Sequence, residues 1–278
     1  MSLMSTTIGF IGAGNMATAL IEGLLGKGIP PSFLHASDMD PNKLDLLSAK
    51  GIQVTQNNTE IIERADIVVI AVKPQVLPDV LSPLKSALVQ HNILLVSIAA
   101  GITTDSLQDW SHSEQAIVRC MPNTPALVAQ GASGLYANAY CSDNHKKIAE
   151  EVLNAVGITR WVDNEDLLHA VTALSGSGPA YFFLMMEAMQ EAAEALGLCS
   201  ETARSLCLQT ALGAAVLANE SDQDISQLRK NVTSPGGTTA AALEQFEADH
   251  YREIVDRALQ KAAERSEQLG QEFSSNNK

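Results

Sequence analysis

Gly12, Gly14 and Ala17 stand at the spacing Gly-x-Gly-x-x-Ala directly after the apolar stretch Ile8-Gly-Phe-Ile11. Gly12 permits a tight strand-to-helix turn, Gly14 lets backbone approach a pyrophosphate, and the small Ala17 lets helix and strand pack closely. The N-terminus of the following helix then offers N–H groups and the positive end of a dipole to phosphate. An ordinary tight turn uses the same residue types. Context separates the two readings: a strand over 7–11 precedes the glycines and a helix over 15–25 follows them.

Three further clusters carry chemistry. Ala71-Val-Lys-Pro74 closes an apolar strand over 67–72, at the edge where parallel sheets bind ligands. Leu174-Ser-Gly-Ser-Gly-Pro-Ala-Tyr181 and Ser234-Pro-Gly-Gly-Thr-Thr239 each precede a helix, and glycine clusters there expose N–H groups as an anion nest suited to a carboxylate. One such cluster reads as a linking turn. Two in one helical region, beside a cofactor domain, favour a site.

The elements that must position these residues alternate through the first half of the chain. Strands are expected over 33–36, 52–54, 67–72, 93–98, 116–120, 132–136 and 158–162. Helices are expected over 41–49, 59–64, 74–84, 104–110 and 145–156, the first capped by Asp40 and begun by Pro41. Strands apolar on both faces imply a parallel sheet covered by helices on each side, so 1–163 reads as an α/β, doubly wound, Rossmann-type dinucleotide-binding domain.

Strand signals stop at Glu165, and 164–278 reads as an all-α domain. Helices are expected over 179–196, from a cap at Ser200 to about 218, over 239–246 and over 251–269. Tyr181, Phe182, Phe183, Leu184, Met185, Met186 and Met189 make the first of these apolar around most of its circumference. So small a helical domain has little to cover such a helix, and a second subunit is the natural source. Residues 1–3, ahead of a second methionine at Met4, are set aside from fold reasoning, and 274–278 read as frayed.

Composition excludes several functions. Thirty-two acidic against eighteen basic residues give a net charge of −14, which repels a nucleic-acid backbone. No apolar run is long and charge-free enough to span a bilayer, and no secretory signal precedes the first strand. Cys120, Cys141, Cys199 and Cys207 have neither metal-ligand nor CxxC spacing, so they read as reduced thiols of a cytoplasmic protein without a metal.

Gly9-Phe-Ile-Gly-Ala-Gly-Asn-Met16, Ala71-Val-Lys-Pro74, Met121-Pro-Asn-Thr-Pro-Ala126, Ser175-Gly-Ser-Gly-Pro-Ala-Tyr181 and Ser234-Pro-Gly-Gly-Thr-Thr239, in that order, resemble the pyrroline-5-carboxylate reductases from about residue 7 to 269. The resemblance implies reduction of 1-pyrroline-5-carboxylate to L-proline by NADPH, with NADH possible, and a homo-oligomer built of interleaved dimers. Cofactor contacts carried over are Gly12, Gly14, Asn15, Met16, Asn58, Val72, Lys73 and Ala100, with Asn231 reaching across from the helical domain. The substrate carboxylate would rest on Gly237, Thr238 and Thr239, with Glu165 near the substrate nitrogen and Thr172 as the catalytic hydroxyl. Spacing alone leaves Glu165 equally readable as one acid of the exposed Asp163-Asn-Glu-Asp166 turn.

At the end of the second strand the signals conflict. Ser37 suits a 2′-phosphate, whereas Asp38, about two dozen residues past Gly14, stands where an NAD-type acid would be, and no arginine lies nearby. The nearest competing reading is a β-hydroxyacid dehydrogenase, which uses a lysine of its second domain. No lysine occurs between Lys147 and Lys230. A non-catalytic NAD(P)-binding regulatory module would have no reason for two glycine nests.

Overall fold

Strands buried on both faces require helices above and below the sheet, and β1 (Ile8–Ile11), β4 (Ile67–Ile70) and β5 (Leu94–Ser97) are buried at every residue. The computed structural model describes residues 3–275, which divide into two units: 3–177 with 261–275, and 178–260. The first unit holds an eight-stranded sheet in the order β3-β2-β1-β4-β5-β6-β7-β8. Its other strands are β2 (Leu34–Ser37), β3 (Gln53–Thr55), β6 (Ile117–Met121), β7 (Gly131–Ala137) and β8 (Gly157–Trp161).

Pairing is parallel except between β6 and β7. The segment between those two strands holds only a 3-10 turn, Thr124–Val128, which is too short for the helical crossover that a parallel return needs. Even alternation of strand and helix therefore breaks there.

The helices of this unit are α1 (Asn15–Gly26), α2 (Pro41–Ser48), α3 (Asn58–Arg64), α4 (Leu77–Leu81), α5 (Lys85–His91), α6 (Thr104–Trp110), α7 (Asp143–Leu153) and α8 (Leu167–Val171). One apolar layer joins Phe10, Leu20, Leu24 and Val69 to Ile148 and Val152. The other joins Ile11, Val68 and Ile70 to Ile61, Leu77, Leu88 and Trp110. Asp40 caps α2 by accepting the Asn42 N–H, as the Asp-Pro pair requires.

Several expectations are corrected. The helix expected over 74–84 is broken into a 3-10 turn, α4 and a second 3-10 turn, because Pro74, Pro78 and Pro83 each lack the N–H that a continuous helix needs. The strand expected over 67–72 ends at Ile70, and α8 was not foreseen.

The second unit contains α9 (Gly178–Ala195), α10 (Ser200–Glu220), α11 (Ile225–Asn231), α12 (Thr238–Ala248) and the first turns of α13 (Tyr251–Ser275). Cys199, not Ser200, caps α10, and α11 was also not foreseen. Only Gly178, Ala203 and Cys207 are buried in α9 and α10, while Phe182 and Phe183 are 68% and 63% exposed. The helix expected to be covered thus lies bare in the single chain. α13 runs on past the expected end to Ser275, and the fraying expected at 276–278 lies outside the described residues.

Candidate active site

The carboxyl ends of β1, β2, β4 and β5 converge on one edge of the sheet, and the glycine turn sits there. Gly12 adopts φ +97°, and a Cβ on it would lie 2.6 Å from the Ala71 carbonyl oxygen, so only glycine serves. Its N–H donates to the Ser37 carbonyl at 2.8 Å. Gly14 is the extended N-cap of α1 and supplies no side-chain cap, and a Cβ built there meets nothing within 4 Å. An uncapped helix N-terminus facing open space beside a glycine fits the pyrophosphate of a dinucleotide. Asn15 is exposed and Met16 half-buried at the same turn.

Val72 borders Gly12 across the β4 edge, exposed Lys73 precedes the Pro74 turn, and exposed Ala100 follows β5. Ser37 is wholly buried, and its hydroxyl donates to Asn58 Oδ1 at 2.7 Å, which ties together two of the residues expected to meet the dinucleotide. Asp38 Oδ2 accepts the Ala13 N–H at 2.8 Å and Oδ1 the Asp40 N–H at 2.9 Å. Burial alone would raise the Asp38 carboxyl, but these N–H groups and the neighbouring Lys43 outweigh it and hold the group below the usual carboxylate range.

Glu165 is engaged by the protein itself. Its carboxylate accepts the Thr104 N–H and hydroxyl, each at 2.7 Å, and pairs with Arg119 Nη1 at 2.5 Å. Arg119 lies on β6 with its side chain 7% exposed. Sequence reasoning passed over it, yet an arginine inside an apolar strand is itself a signal, because a buried charge needs a partner.

Thr172 opens a π-helical turn, Thr172–Gly176, and its hydroxyl donates to the Leu168 carbonyl at 2.7 Å. The first glycine cluster is therefore largely helical, with the Ser177 N–H bonded to the Thr172 carbonyl, and is not the open anion nest expected. Wide π turns of this kind recur at functional sites. Asn123, in the Met121-Pro-Asn motif, ties the turn down by donating to the Ser175 carbonyl at 3.0 Å.

In the second unit, Gly236 adopts φ +69° and Gly237 is the uncapped N-cap of α12, which begins with exposed Thr238 and half-buried Thr239. This second cluster does present the N–H groups of a helix start. The amide of Asn231 is held by Gln223 and Gln227 at 2.8 Å each. Among the described residues no group of three or more His, Cys, Asp or Glu side chains is placed to hold a metal ion. No described helix is long and apolar enough to cross a membrane.

A mostly parallel sheet with an open glycine turn at its carboxyl edge, followed by a helical region, is a Rossmann-type fold of the dinucleotide-binding class. Residues 7–101 match the family model described as NADP oxidoreductase, coenzyme F420-dependent, and 165–269 match pyrroline-5-carboxylate reductase dimerisation. The pyrroline-5-carboxylate reductase of Pseudomonas aeruginosa is 50% identical, over 96% of this chain and 100% of its own. The structure of a pyrroline-5-carboxylate reductase from Coxiella burnetii aligns with a TM-score of 0.93 at 45% identity, over 95% of this chain and 98% of its own. Plasmodium falciparum pyrroline carboxylate reductase with NADP bound aligns with a TM-score of 0.84 at 32% identity, over 97% and 100%. The chain belongs to the pyrroline-5-carboxylate reductase family and carries that family's dimerisation region.

Proposed function

We infer that this protein reduces 1-pyrroline-5-carboxylate to L-proline with NADPH, NADH serving as an alternative, in the last step of proline biosynthesis. The full-length similarity to the Pseudomonas aeruginosa reductase carries this reading, and the open turn at Gly14 agrees with it. The reduced nicotinamide supplies the hydride. Gly12, Gly14, Asn15, Met16, Ser37, Asn58, Val72, Lys73 and Ala100 hold the dinucleotide, with Asn231 contributing from the helical domain.

The iminium form of the substrate carries its proton already, so this chain has to orient it rather than supply a strong acid. Thr172 spends its hydroxyl proton on the Leu168 carbonyl, which turns its oxygen into an acceptor. That suits the N–H of an iminium. The substrate carboxylate is received by the first turn of α12 at Gly237, Thr238 and Thr239. Glu165 lies near the substrate nitrogen, and its bonds to Thr104 and Arg119 also fix the start of α6 just beyond Ala100.

The division into a dinucleotide-binding domain (1–163) and a helical substrate and dimerisation domain (164–278) is supported by the family match over 165–269, while by packing 164–177 and 261–275 group with the sheet. Interleaving of two subunits is supported by the bare apolar faces of α9 and α10. A cytoplasmic location is supported by four free cysteines. The test is loss of NADPH absorbance on adding 1-pyrroline-5-carboxylate, with stoichiometric proline. No oxidation by folded protein overturns the reading.

A further inference from the structure

A glycine inside a helix weakens it, and a close approach of two backbones is what offsets that cost. Gly270, in the last turns of α13, is such a glycine. A Cβ on it would stand 2.8 Å from the Gly101 carbonyl oxygen, and a Cβ on Gly101 would meet the Gly270 nitrogen at 3.4 Å. Gly101 is held at φ +79°, and both glycines are buried. The helix therefore lies directly on the backbone that follows Ala100, and neither residue has a side chain that could yield.

One turn earlier on α13, Ser266 is buried, and its Oγ shares a 2.9 Å hydrogen bond with His169 Nδ1. His169 belongs to α8, four residues after Glu165 and three before Thr172. Ser266 and Gly270 stand four residues apart and so lie on one face of the helix, while Glu264, Arg265 and Glu267 are exposed. That face touches both walls of the proposed site: the loop after β5 that carries Ala100, and the segment from Glu165 to Thr172. Glu165 joins the same two walls through Thr104. One tie leaves them free to pivot, whereas a rigid helix in contact with both fixes their separation. Hydride transfer depends on that separation, and a misplacement of about 1 Å costs about a hundredfold in rate.

We propose that the end of α13 is a splint for the active site, with Gly270, Ser266 and His169 as positioning residues. The glycine sets the dinucleotide loop, and the Ser266–His169 pair sets the turn that carries Thr172. This rests on the reductase reading above and adds the residues that space coenzyme and substrate.

Steady-state reduction of 1-pyrroline-5-carboxylate and calorimetric binding of NADP+, both on the whole protein and well below each variant's unfolding midpoint, test it. Gly270→Ala should weaken NADP+ at least about fivefold, whereas Ser266→Ala and His169→Ala should lower kcat about five- to tenfold and keep NADP+ affinity within about twofold. His169→Asn, whose amide stands near the place of Nδ1, should return kcat to within about twofold of wild type. Should Gly270→Ala fail to fold, the Ser266 and His169 variants decide the matter. Folded variants that lose thermal stability but keep wild-type kinetics and NADP+ affinity overturn the proposal. So does a His169→Asn protein as slow as His169→Ala, since the bond to Ser266 would then set nothing. Wild type that binds NADP+ yet reduces no substrate refutes the proposed reaction alone, and NADP+ affinity in Gly270→Ala then decides whether α13 sets the dinucleotide loop.

Discussion

Glu165 and Arg119 form an ion pair of 2.5 Å, their side chains 19% and 7% exposed, between the turn that precedes α8 and the middle of β6. Because Glu165 also grips the N–H and hydroxyl of Thr104, three segments distant in sequence are pinned at one carboxylate. Two of them border the proposed site: α6 follows the Ala100 segment, and α8 leads to Thr172.

Arg119→Leu should lower stability by about 3 kcal/mol, because it strands a partly buried carboxylate. Glu165→Gln keeps the shape and one acceptor and should cost less, about 1–2 kcal/mol. Urea unfolding midpoints check both. A wild-type midpoint for Arg119→Leu would mean that the pair holds nothing.

The two glycines of the turn should fail differently. Gly12→Val forces a side chain against the Ala71 carbonyl at φ +97° and should destabilise the fold, whereas Gly14→Val enters open space and should fold normally yet lose NADPH. Thermal unfolding paired with NADPH fluorescence titration distinguishes them. Normal NADPH affinity in folded Gly14→Val would remove the pyrophosphate from this turn.

Thr172→Val should lower kcat by about ten- to a hundredfold with little change in NADPH affinity, and Thr172→Ser should restore most of it. Thr238→Val should chiefly raise KM, since a hydrogen bond to a charged carboxylate is worth about 1.5–3 kcal/mol. Steady-state kinetics with varied substrate separate the two effects. Variants that lose only thermal stability would leave both hydroxyls with structural roles.

Burial pushes the Cys120 thiol up to about 12 and the Cys141 thiol to about 11, the former despite a hydrogen bond with Ser133 and the latter despite bonds at Ile117 and Asn138. Both raised values keep the thiol neutral at pH 8, and only the thiolate attacks a disulfide reagent. Neither cysteine should react with such a reagent at pH 8 until denaturant is added. Mass mapping of the labelled protein reads this directly, and rapid native labelling of Cys120 would contradict the burial.

Exposed apolar side chains on α9 and α10, among them Phe182, Phe183, Leu206, Leu212 and Leu217, leave the second unit without a core of its own. Sedimentation at micromolar concentration should show a dimer or larger. Phe183→Asp should shift it toward smaller species. A well-folded wild-type monomer would refute the assignment of this surface.

What the sequence determined was local in origin. The Gly12 turn, the fully apolar strands β1 and β4, and the Asp40-Pro41 helix start all follow from neighbours within one turn or one strand, whose sterics and hydrogen bonds do not depend on the rest of the chain. Tertiary structure decided the partners. Arg119 and Glu165 are 46 residues apart, Thr104 and Glu165 61, and Ala13 and Asp38 25, so no periodicity or spacing rule couples them. The same holds for Ser37, whose type suits a phosphate but whose burial against Asn58 depends on how β2 lies beside α3. A residue's type states what it can bond. Only the packed fold decides which of its possible partners is within reach and which are shut away from solvent.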